Sequence, residues 1–216
     1  MLSVVTHMPI SLTSAAQTDW YQAREGDWLV TSGPSEVSAV DLYHTRHVPR
    51  LAKGVRPLRV MHALDGIEQE VPPGLVGEVG RALWELWRSH ADFRAHDLLL
   101  GLDAGGILPT VALALASDTP YRLSWRLDLD LPDKHAFVEP HSALPELFVY
   151  GCFDNRRVLI VDDEVTTGRT AANLAEVLTA ARADVVGVAC LVEDIAGGAR
   201  AYLAERGLPL CALTAL

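Results

Sequence analysis

Apolar residues recur along the chain with two spacings, which alternate from about residue 75 to the end. Recurrence at every third and fourth position predicts amphipathic helices. These lie at 75–90, 107–116, 171–181 and 199–206. Short, nearly continuous apolar runs predict buried strands, at 97–102, 120–126, 157–161, 185–192 and 210–213. Such alternation is typical of a doubly wound, mainly parallel α/β sheet that helices cover on both faces.

Two parts of the chain lack this alternation. Residues 1–74 are irregular, with a predicted strand at 28–31 and a basic stretch at 46–59. Residues 127–150 are polar and contain prolines, which predicts a long loop. We therefore expect an N-terminal hood over residues 1–74, which shapes an acceptor pocket, and a core domain over residues 75–216.

Composition limits the kinds of partner. The chain has 216 residues, of which 50% are hydrophobic, and a formal net charge of −10. This acidic balance argues against nucleic acid as a partner, because phosphate backbones bind to basic surfaces. No apolar run reaches the ~18 residues that span a membrane, and the N-terminus is a poor signal peptide. Cys152, Cys190 and Cys211 lack metal-ligand spacing, so a reducing cytoplasm is the expected location.

Candidate chemistry follows the predicted strand 157–161. Asp162 and Asp163 come directly after it, and the small polar turn 166–170 precedes a helix. The first N–H groups of a helix lack internal partners, so this turn is typical of a phosphate site, although threonine also caps helices without any ligand. The carboxylates suit a sugar diol or Mg²⁺, and the alternative is a solvated acidic loop.

A second turn, 103–106, follows the predicted strand 97–102. The C-terminal ends of parallel strands meet at one edge of a sheet, and ligands of such sheets bind there. We therefore expect the turn 103–106 and the segment 162–170 to form one site.

The run 158–170, VLIVDDEVTTGRT, resembles the phosphoribosyl pyrophosphate (PRPP) signature of the type I phosphoribosyltransferases. The resemblance implies the fold of that family and an enzyme, commonly a homodimer. It implies that PRPP and Mg²⁺ are used to transfer a 5-phosphoribosyl group to a small-molecule acceptor, with release of pyrophosphate. It further implies that 127–145 closes over PRPP as a flexible loop.

The same resemblance implies roles for individual residues. Asp162 and Asp163 would hold the ribose hydroxyls and the metal. The 5′-phosphate would bind to Thr166, Thr167, Gly168, Arg169 and Thr170. Pyrophosphate would bind to Asp103, Ala104, Gly105 and Gly106.

Two departures from the family pattern bear on the ligands. Gly105 stands where several members carry Arg or Lys, so a cation for pyrophosphate must come from elsewhere, such as Lys134 or Arg126. The C-terminal part of the chain resembles orotate phosphoribosyltransferases, but Ile195 follows Asp194 where those enzymes have an orotate-binding arginine. The expected acceptor is therefore not orotate.

A second resemblance concerns residues 137–151, FVEPHSALPELFVYG. Together with the motif after it, this segment is similar to a phosphoribosyltransferase-like family from tellurium-resistance and stress gene clusters, whose members are suspected of making a nucleoside-like or ribosylated small molecule. This resemblance implies a specialised-metabolism or nucleoside-like acceptor. It implies that Glu139, His141 and Ser142 belong to the site, whereas the alternative is a simple turn around Pro140. The predicted catalytic residues are Asp163, Glu139, His141 and Lys134.

Two other functions remain open at this point. A non-catalytic PRPP-sensing regulatory protein is the first alternative, because the same fold also serves regulators. A hydrolase of the ribose phosphate is the second. Pyrophosphate release that requires a second substrate would favour the transferase.

Overall fold

The computed structural model describes residues 29–31, 43–50 and 58–216, with only the backbone described for 29–31 and 43–46. The strands in these ranges are β1 (Leu29–Thr31), β2 (Tyr43–Pro49), β3 (Leu58–Met61), β4 (Leu98–Gly101), β5 (Tyr121–Leu123), β6 (Lys134–Val138), β7 (Glu146–Tyr150), β8 (Arg157–Val165), β9 (Asp184–Glu193) and β10 (Leu210–Ala215). The α-helices are α1 (Pro73–Ser89), α2 (Ile107–Ser117), α3 (Arg169–Ala180) and α4 (Ala199–Ala204). A short 3₁₀ helix lies at Ile195–Gly197.

A five-stranded parallel sheet with the order β10-β9-β8-β4-β5 forms the centre of the molecule. Its central strands are buried on both faces, as their continuous apolar runs require. In β4, Leu98 and Leu100 pack in an apolar cluster with α3 and α4, while Leu99 packs in a second cluster with α1 and α2. The predicted doubly wound, mainly parallel α/β fold is therefore confirmed.

The β6–β7 hairpin corrects one prediction. Residues 127–150 were expected to form a long loop, but 134–138 and 146–150 pair as antiparallel strands. Phe137, Leu147 and Val149 are buried in the cluster that contains α3. The polar and proline residues that suggested a loop lie before β6 and in the connection 139–145, so only those parts are irregular.

Strand β8 is longer than the predicted 157–161. It continues through both aspartates to Val165, because the ladder with β9 continues there and pairs Asp162 with Cys190 and Glu164 with Val192. The extension places the two carboxylates on a regular strand rather than in a loop. Their orientations are therefore set by the sheet, and neighbouring residues point to opposite faces.

Strands β1, β2 and β3 form an antiparallel N-terminal sheet. The predicted strand at 28–31 is present from Leu29, while Trp28 and residues 51–57 of the basic stretch lie outside the described residues. Val60 and Leu64 pack in the same cluster as α1 and α2. His47 forms an ion pair with Asp194 at 3.6 Å, which joins β2 to the end of β9. These contacts place the end of β3 beside the C-terminal edge of the central sheet.

Within the described ranges, no helix combines the length and the apolar character that crossing a membrane requires. The helix α1 illustrates the point, since it is one-sided rather than apolar throughout. It buries Val79, Leu83 and Trp87 against the sheet.

Candidate active site

A cavity of about 340 Å³ opens at the C-terminal ends of β4 and β8. All the predicted PRPP-binding residues line it except Gly106 and Arg169. Glu139, His141 and Ser142 of the hairpin connection also line it, as do Arg50, Arg59 and Arg126. The structure thus brings the two predicted turns together at one sheet edge, with the hairpin and the N-terminal strands beside them.

The turn between β8 and α3 is built around Gly168. This residue is the N-cap of α3, has a φ of +70°, and makes no side-chain cap hydrogen bond. The left-handed conformation favours glycine, and a Cβ at this position would lie 2.9 Å from Leu203 of α4. The N-cap residue thus has no hydroxyl of its own, although Thr167 Oγ1 accepts the N–H of Arg169 at 3.5 Å. The start of α3 lies beside the cavity that Thr166, Thr167 and Thr170 line.

Arg169 differs from its neighbours in this turn. Its side chain is exposed and lies over the ring of Tyr202, with 5.6 Å between the guanidinium carbon and the ring centroid. It does not line the cavity. The first turn of α3 thus contributes its backbone to the site, while the arginine side chain points towards α4.

The loop 103–106 is pressed against the acidic pair. A Cβ at Gly105 would lie 2.0 to 2.4 Å from all three carboxylate atoms of Asp163. A Cβ at Gly106 would lie 2.7 Å from the carbonyl oxygen of Leu102 and 2.8 Å from that of Val161. The peptide bond between Asp103 and Ala104 is cis. Position 105 therefore has no room for a side chain, which gives a physical reason for the missing loop cation.

Asp163 is held by two donors from the N-terminal segment. Its Oδ2 accepts a hydrogen bond from Nη2 of Arg59 at 2.9 Å and lies 3.4 Å from Nε2 of His62. His62 Nδ1 accepts the backbone N–H of Leu64, so the ring proton is on Nε2 and points to Asp163. Asp162 is half-buried, and its Oδ1 accepts the backbone N–H of Asp163 at 2.9 Å.

The two adjacent carboxyls have opposite pKa shifts. Burial raises the pKa of Asp162 well above its usual value, and the negative charge of Asp163 raises it further. Burial also acts to raise the pKa of Asp163, but the hydrogen bond from His62 and the charge of Arg59 outweigh it, so that pKa lies below its usual range. At neutral pH Asp163 is thus the stably ionised member of the pair.

The hairpin connection lies against both turns of the site. Arg126 joins them, because its guanidinium binds Glu139 and the carbonyl oxygen of Leu144 and lies 3.8 Å from the carboxylate of Asp103. His141 Nε2 lies 3.3 Å from Oγ1 of Thr167 in the phosphate turn. His141 was predicted to act as an acid or base near the acceptor. In the structure it lies beside the turn that is expected to bind the 5′-phosphate.

Lys134 is not part of this arrangement. It lies at the start of β6 on the exposed side of the hairpin, where its Nζ is 2.7 Å from Asp128 and 5.8 Å from the ring centroid of Phe148. It does not line the cavity. The prediction of Lys134 as a catalytic cation is corrected, because strand alternation turns its side chain away from the site. Arg126, the other cationic residue considered for pyrophosphate, does line the cavity.

Sequence reasoning missed Arg59 and His62 as site residues. They follow one another closely on β3 and the turn after it, but they lie 104 and 101 positions before Asp163 in the chain. Arg59 was noted only as the end of a basic stretch. A basic residue and a histidine at the end of a short apolar strand were the available signal, and the pairing that places them could not be inferred from spacing.

A family model described as Phosphoribosyl transferase matches residues 66–206. The chain belongs to the phosphoribosyltransferase family. The predicted family is confirmed, and so is its enzymatic class. The regulatory alternative receives no support from this match.

Two relatives of this phosphoribosyltransferase are named for purine bases. A xanthine phosphoribosyltransferase of Chloroflexus aurantiacus is 34% identical over 125 residues, which cover 55% of this chain and 59% of that protein. A hypoxanthine/guanine phosphoribosyltransferase of Methanocaldococcus infernus is 28% identical over 149 residues, which cover 67% of this chain and 77% of that protein. The chain thus spans less than two thirds of the first relative and about three quarters of the second.

Solved structures of adenine phosphoribosyltransferases share the fold. That of Leishmania tarentolae has a TM-score of 0.61 and 19% identity, over 79% of this chain and 83% of that one. That of Rhodothermus marinus has a TM-score of 0.61 and 21% identity, over 80% and 94%. At these identities the likeness supports the architecture of the phosphoribosyltransferase and nothing more specific.

Proposed function

We propose that this phosphoribosyltransferase transfers the 5-phosphoribosyl group of PRPP to a nitrogen of a purine base and releases pyrophosphate, with Mg²⁺. The observation that carries the proposal is the convergence of three groups in one cavity: the phosphate turn, the acidic pair and the glycine loop. The purine part rests on the relatives named for xanthine and for hypoxanthine and guanine. It replaces the broader expectation of a specialised acceptor.

Each part of PRPP has a matching part of the cavity. The 5′-phosphate binds at 166–170, where the first N–H groups of α3 and the threonine hydroxyls supply donors. The ribose hydroxyls donate to the carboxylates of Asp162 and Asp163. Pyrophosphate lies against the loop 103–106, because residues 103–105 line the cavity and the close packing of Gly105 on Asp163 places the loop beside the acidic pair.

The two carboxylates of Asp162 and Asp163 are suitable ligands for Mg²⁺. In the described part of the chain, no three His, Cys, Asp or Glu side chains converge as a metal cage. Mg²⁺ commonly binds through one or two carboxylates together with substrate phosphates, and Asp162 and Asp163 supply the carboxylates here. When bound, the ion neutralises charge on the pyrophosphate.

The protein's contribution to the reaction is positioning and charge stabilisation. The bond from C1′ to the pyrophosphate oxygen breaks, the purine nitrogen bonds to C1′, and the nitrogen loses its proton. Residues 103–106 and 162–170 hold both ends of PRPP so that C1′ faces the acceptor. Hydrogen-bond donors around the pyrophosphate stabilise the negative charge that develops as it leaves. Glu139, which lines the cavity, is our proposed base for that proton, whereas His141, which was also predicted for this role, lies beside the turn that binds the 5′-phosphate.

The first test is binding followed by turnover. Calorimetric titration of PRPP with Mg²⁺ is expected to show binding that Asp162→Asn/Asp163→Asn loses, with thermal unfolding of the double variant as the control for folding. Pyrophosphate release is then measured with xanthine, hypoxanthine, guanine, adenine and orotate. Release that requires a purine supports the proposal. Release with orotate, or without any acceptor, contradicts it. Sedimentation of the same sample tests the expected homodimer.

A further inference from the structure

The pyrophosphate loop of this chain supplies no cation. Its four residues, 103–106, include one carboxylate and no basic side chain, and position 105 has no room for one. Departing pyrophosphate carries several negative charges, so charge-assisted donors beyond the backbone are required to stabilise it. Among the described residues, the arginines that line the cavity are Arg50, Arg59 and Arg126.

Arg126 binds the connection 139–145 of the β6–β7 hairpin. One end of its guanidinium binds Glu139 and another binds the carbonyl oxygen of Leu144, and Asp103 lies 3.8 Å away. Two carboxylates thus compensate its charge. Binding of Arg126 to pyrophosphate would break its contacts with the connection 139–145, so its role is to hold that connection in place.

Arg59 reaches the loop from the opposite side. Its Nη2 is 2.9 Å from Oδ2 of Asp163, and the same Oδ2 is 2.0 Å from the place where a Cβ of Gly105 would lie. The distance from Arg59 Nη2 to the Cβ position of residue 105 therefore cannot exceed the sum of these two distances. An arginine on β3 thus lies beside a loop that carries no cation of its own.

His62 makes Arg59 exchangeable. Both side chains contact the same oxygen of Asp163, but the side chain of His62 is 2% exposed and that of Arg59 is 29% exposed and lines the cavity. If Arg59 turns towards a ligand, Nε2–H of His62 still satisfies that oxygen. The buried histidine is thus the permanent partner of the carboxylate, and the arginine is the partner that can leave.

We propose that Arg59 is the cation of the pyrophosphate subsite, which leaves Asp163 to His62 and binds the pyrophosphate group of PRPP. The inference rests on the proposed function, because it assigns one part of that site. It also assigns His62 as a positioning residue, which holds Asp163 for the ribose while Arg59 is engaged elsewhere.

The test separates the two halves of PRPP. Arg59→Gln, Arg59→Lys and wild type are titrated with PRPP, pyrophosphate and ribose 5-phosphate, all with Mg²⁺. Arg59→Gln is expected to weaken PRPP and pyrophosphate binding about 10- to 100-fold, the range for a lost charge-assisted hydrogen bond, and to leave ribose 5-phosphate binding unchanged. Arg59→Lys keeps the charge and is expected to give an intermediate loss. Arg94→Gln, which removes an exposed arginine paired with Asp184, is the matched control.

Three results would overturn the inference. Equal losses for PRPP and ribose 5-phosphate in Arg59→Gln would mean that Arg59 acts only by orienting Asp163. Unchanged PRPP affinity would remove Arg59 from the site. Failure of the wild type to bind PRPP at all would refute the proposed function itself, and the inference with it. If Arg59→Gln does not fold, the selective loss must appear in Arg59→Lys.

Discussion

The floor and the cover of the cavity are built in different ways. The floor consists of residues 103–106 and 162–170, which continue from the adjacent parallel strands β4 and β8. The cover consists of β3 with the turn after it and the β6–β7 hairpin with its connection. Floor residues meet through backbone and van der Waals contact, as Gly105 meets Asp163. Cover residues reach the floor through single side-chain contacts, such as Arg59 to Asp163 and His141 to Thr167.

This difference suggests a division of labour. A floor set by the sheet is suited to the part of the substrate that does not vary, which in the proposed reaction is PRPP. The strands of the cover pack in the apolar clusters, but only a few of its side chains contact the floor, and such contacts are suited to changes of acceptor. Substitutions in the floor are therefore expected to have larger effects on PRPP binding than substitutions in the cover.

The largest effect is expected from Asp163→Asn. Removing the charge leaves Arg59 and His62 facing a neutral group, so the free energy of unfolding should fall by about 2 kcal/mol, between the values for exposed and for buried ion pairs because Arg59 is partly exposed. PRPP affinity should fall by about 100-fold. The control is Asp162→Asn, whose charge is opposed by burial and by Asp163 and whose loss should not reduce stability. Equal destabilisation of both variants in urea unfolding would contradict the assignment.

Gly105→Ala should have the next largest effect. Its methyl group would overlap the carboxylate of Asp163, so we expect PRPP affinity to fall about 10-fold or more, as a shift of the ribose ligand requires. Gly74→Ala is the matched control, because nothing lies within 4 Å of a Cβ there. Calorimetry on both variants measures the contrast. Wild-type PRPP affinity in Gly105→Ala would show that the loop can move away from Asp163.

The pH dependence of stability should distinguish the two aspartates by sign. The raised pKa of Asp162 means that the unfolded chain loses this proton first, so its contribution to stability falls as pH rises above the ordinary pKa of about 4. The lowered pKa of Asp163 means that its contribution is present above about pH 4 and is lost as pH falls further.

Consequently, Asp162→Asn should gain stability relative to wild type as the pH increases, while Asp163→Asn should lose it. Urea unfolding of the three proteins from about pH 2 to about pH 7.5 measures both differences, since the Asp163 contribution changes below about pH 4 and the Asp162 contribution above it. Arg59, His62 and Glu164 face the pair and are unchanged in both variants. Parallel stability profiles for the two variants would show that the carboxyls do not differ.

The smallest effect concerns the cover. Glu139→Gln removes the charge that binds Arg126, and we expect PRPP affinity to fall about threefold, because partly exposed ion pairs contribute little. Hydrogen exchange of the amides in 139–145 should become faster. Lys134→Gln, on the outer side of the same hairpin, should leave affinity and turnover unchanged. A tenfold loss of turnover in Lys134→Gln would restore its predicted catalytic role.

The same division separates what the sequence predicts from what it does not. The floor follows from local signals, since continuous apolar runs predict β4 and β8 and the residues after each run form the turns. Strand β8 was underestimated because carboxylates suggest a loop, whereas pairing with β9 continues through them. Arg169 belongs to the local motif, yet helix geometry turns its side chain to Tyr202.

The cover depends on contacts between distant parts of the chain. The hairpin was missed because each of its strands has only five residues and polar segments flank both. Arg59 and His62 were missed because a contact across about a hundred positions leaves no periodic trace. Periodicity reports which face of an element is buried, and it does not report which distant element covers it.

The close approach of Gly105 to Asp163 also limits how this site can change by single substitutions. A larger residue at position 105 requires a smaller one at position 163, and position 163 carries the proposed ribose ligand. Any ancestral or engineered path that moves a cation into the loop therefore passes through a variant with a damaged site. An arginine on β3 lies outside this interlocked pair, so the cation proposed for the leaving pyrophosphate can be changed at position 59 without a clash between positions 105 and 163.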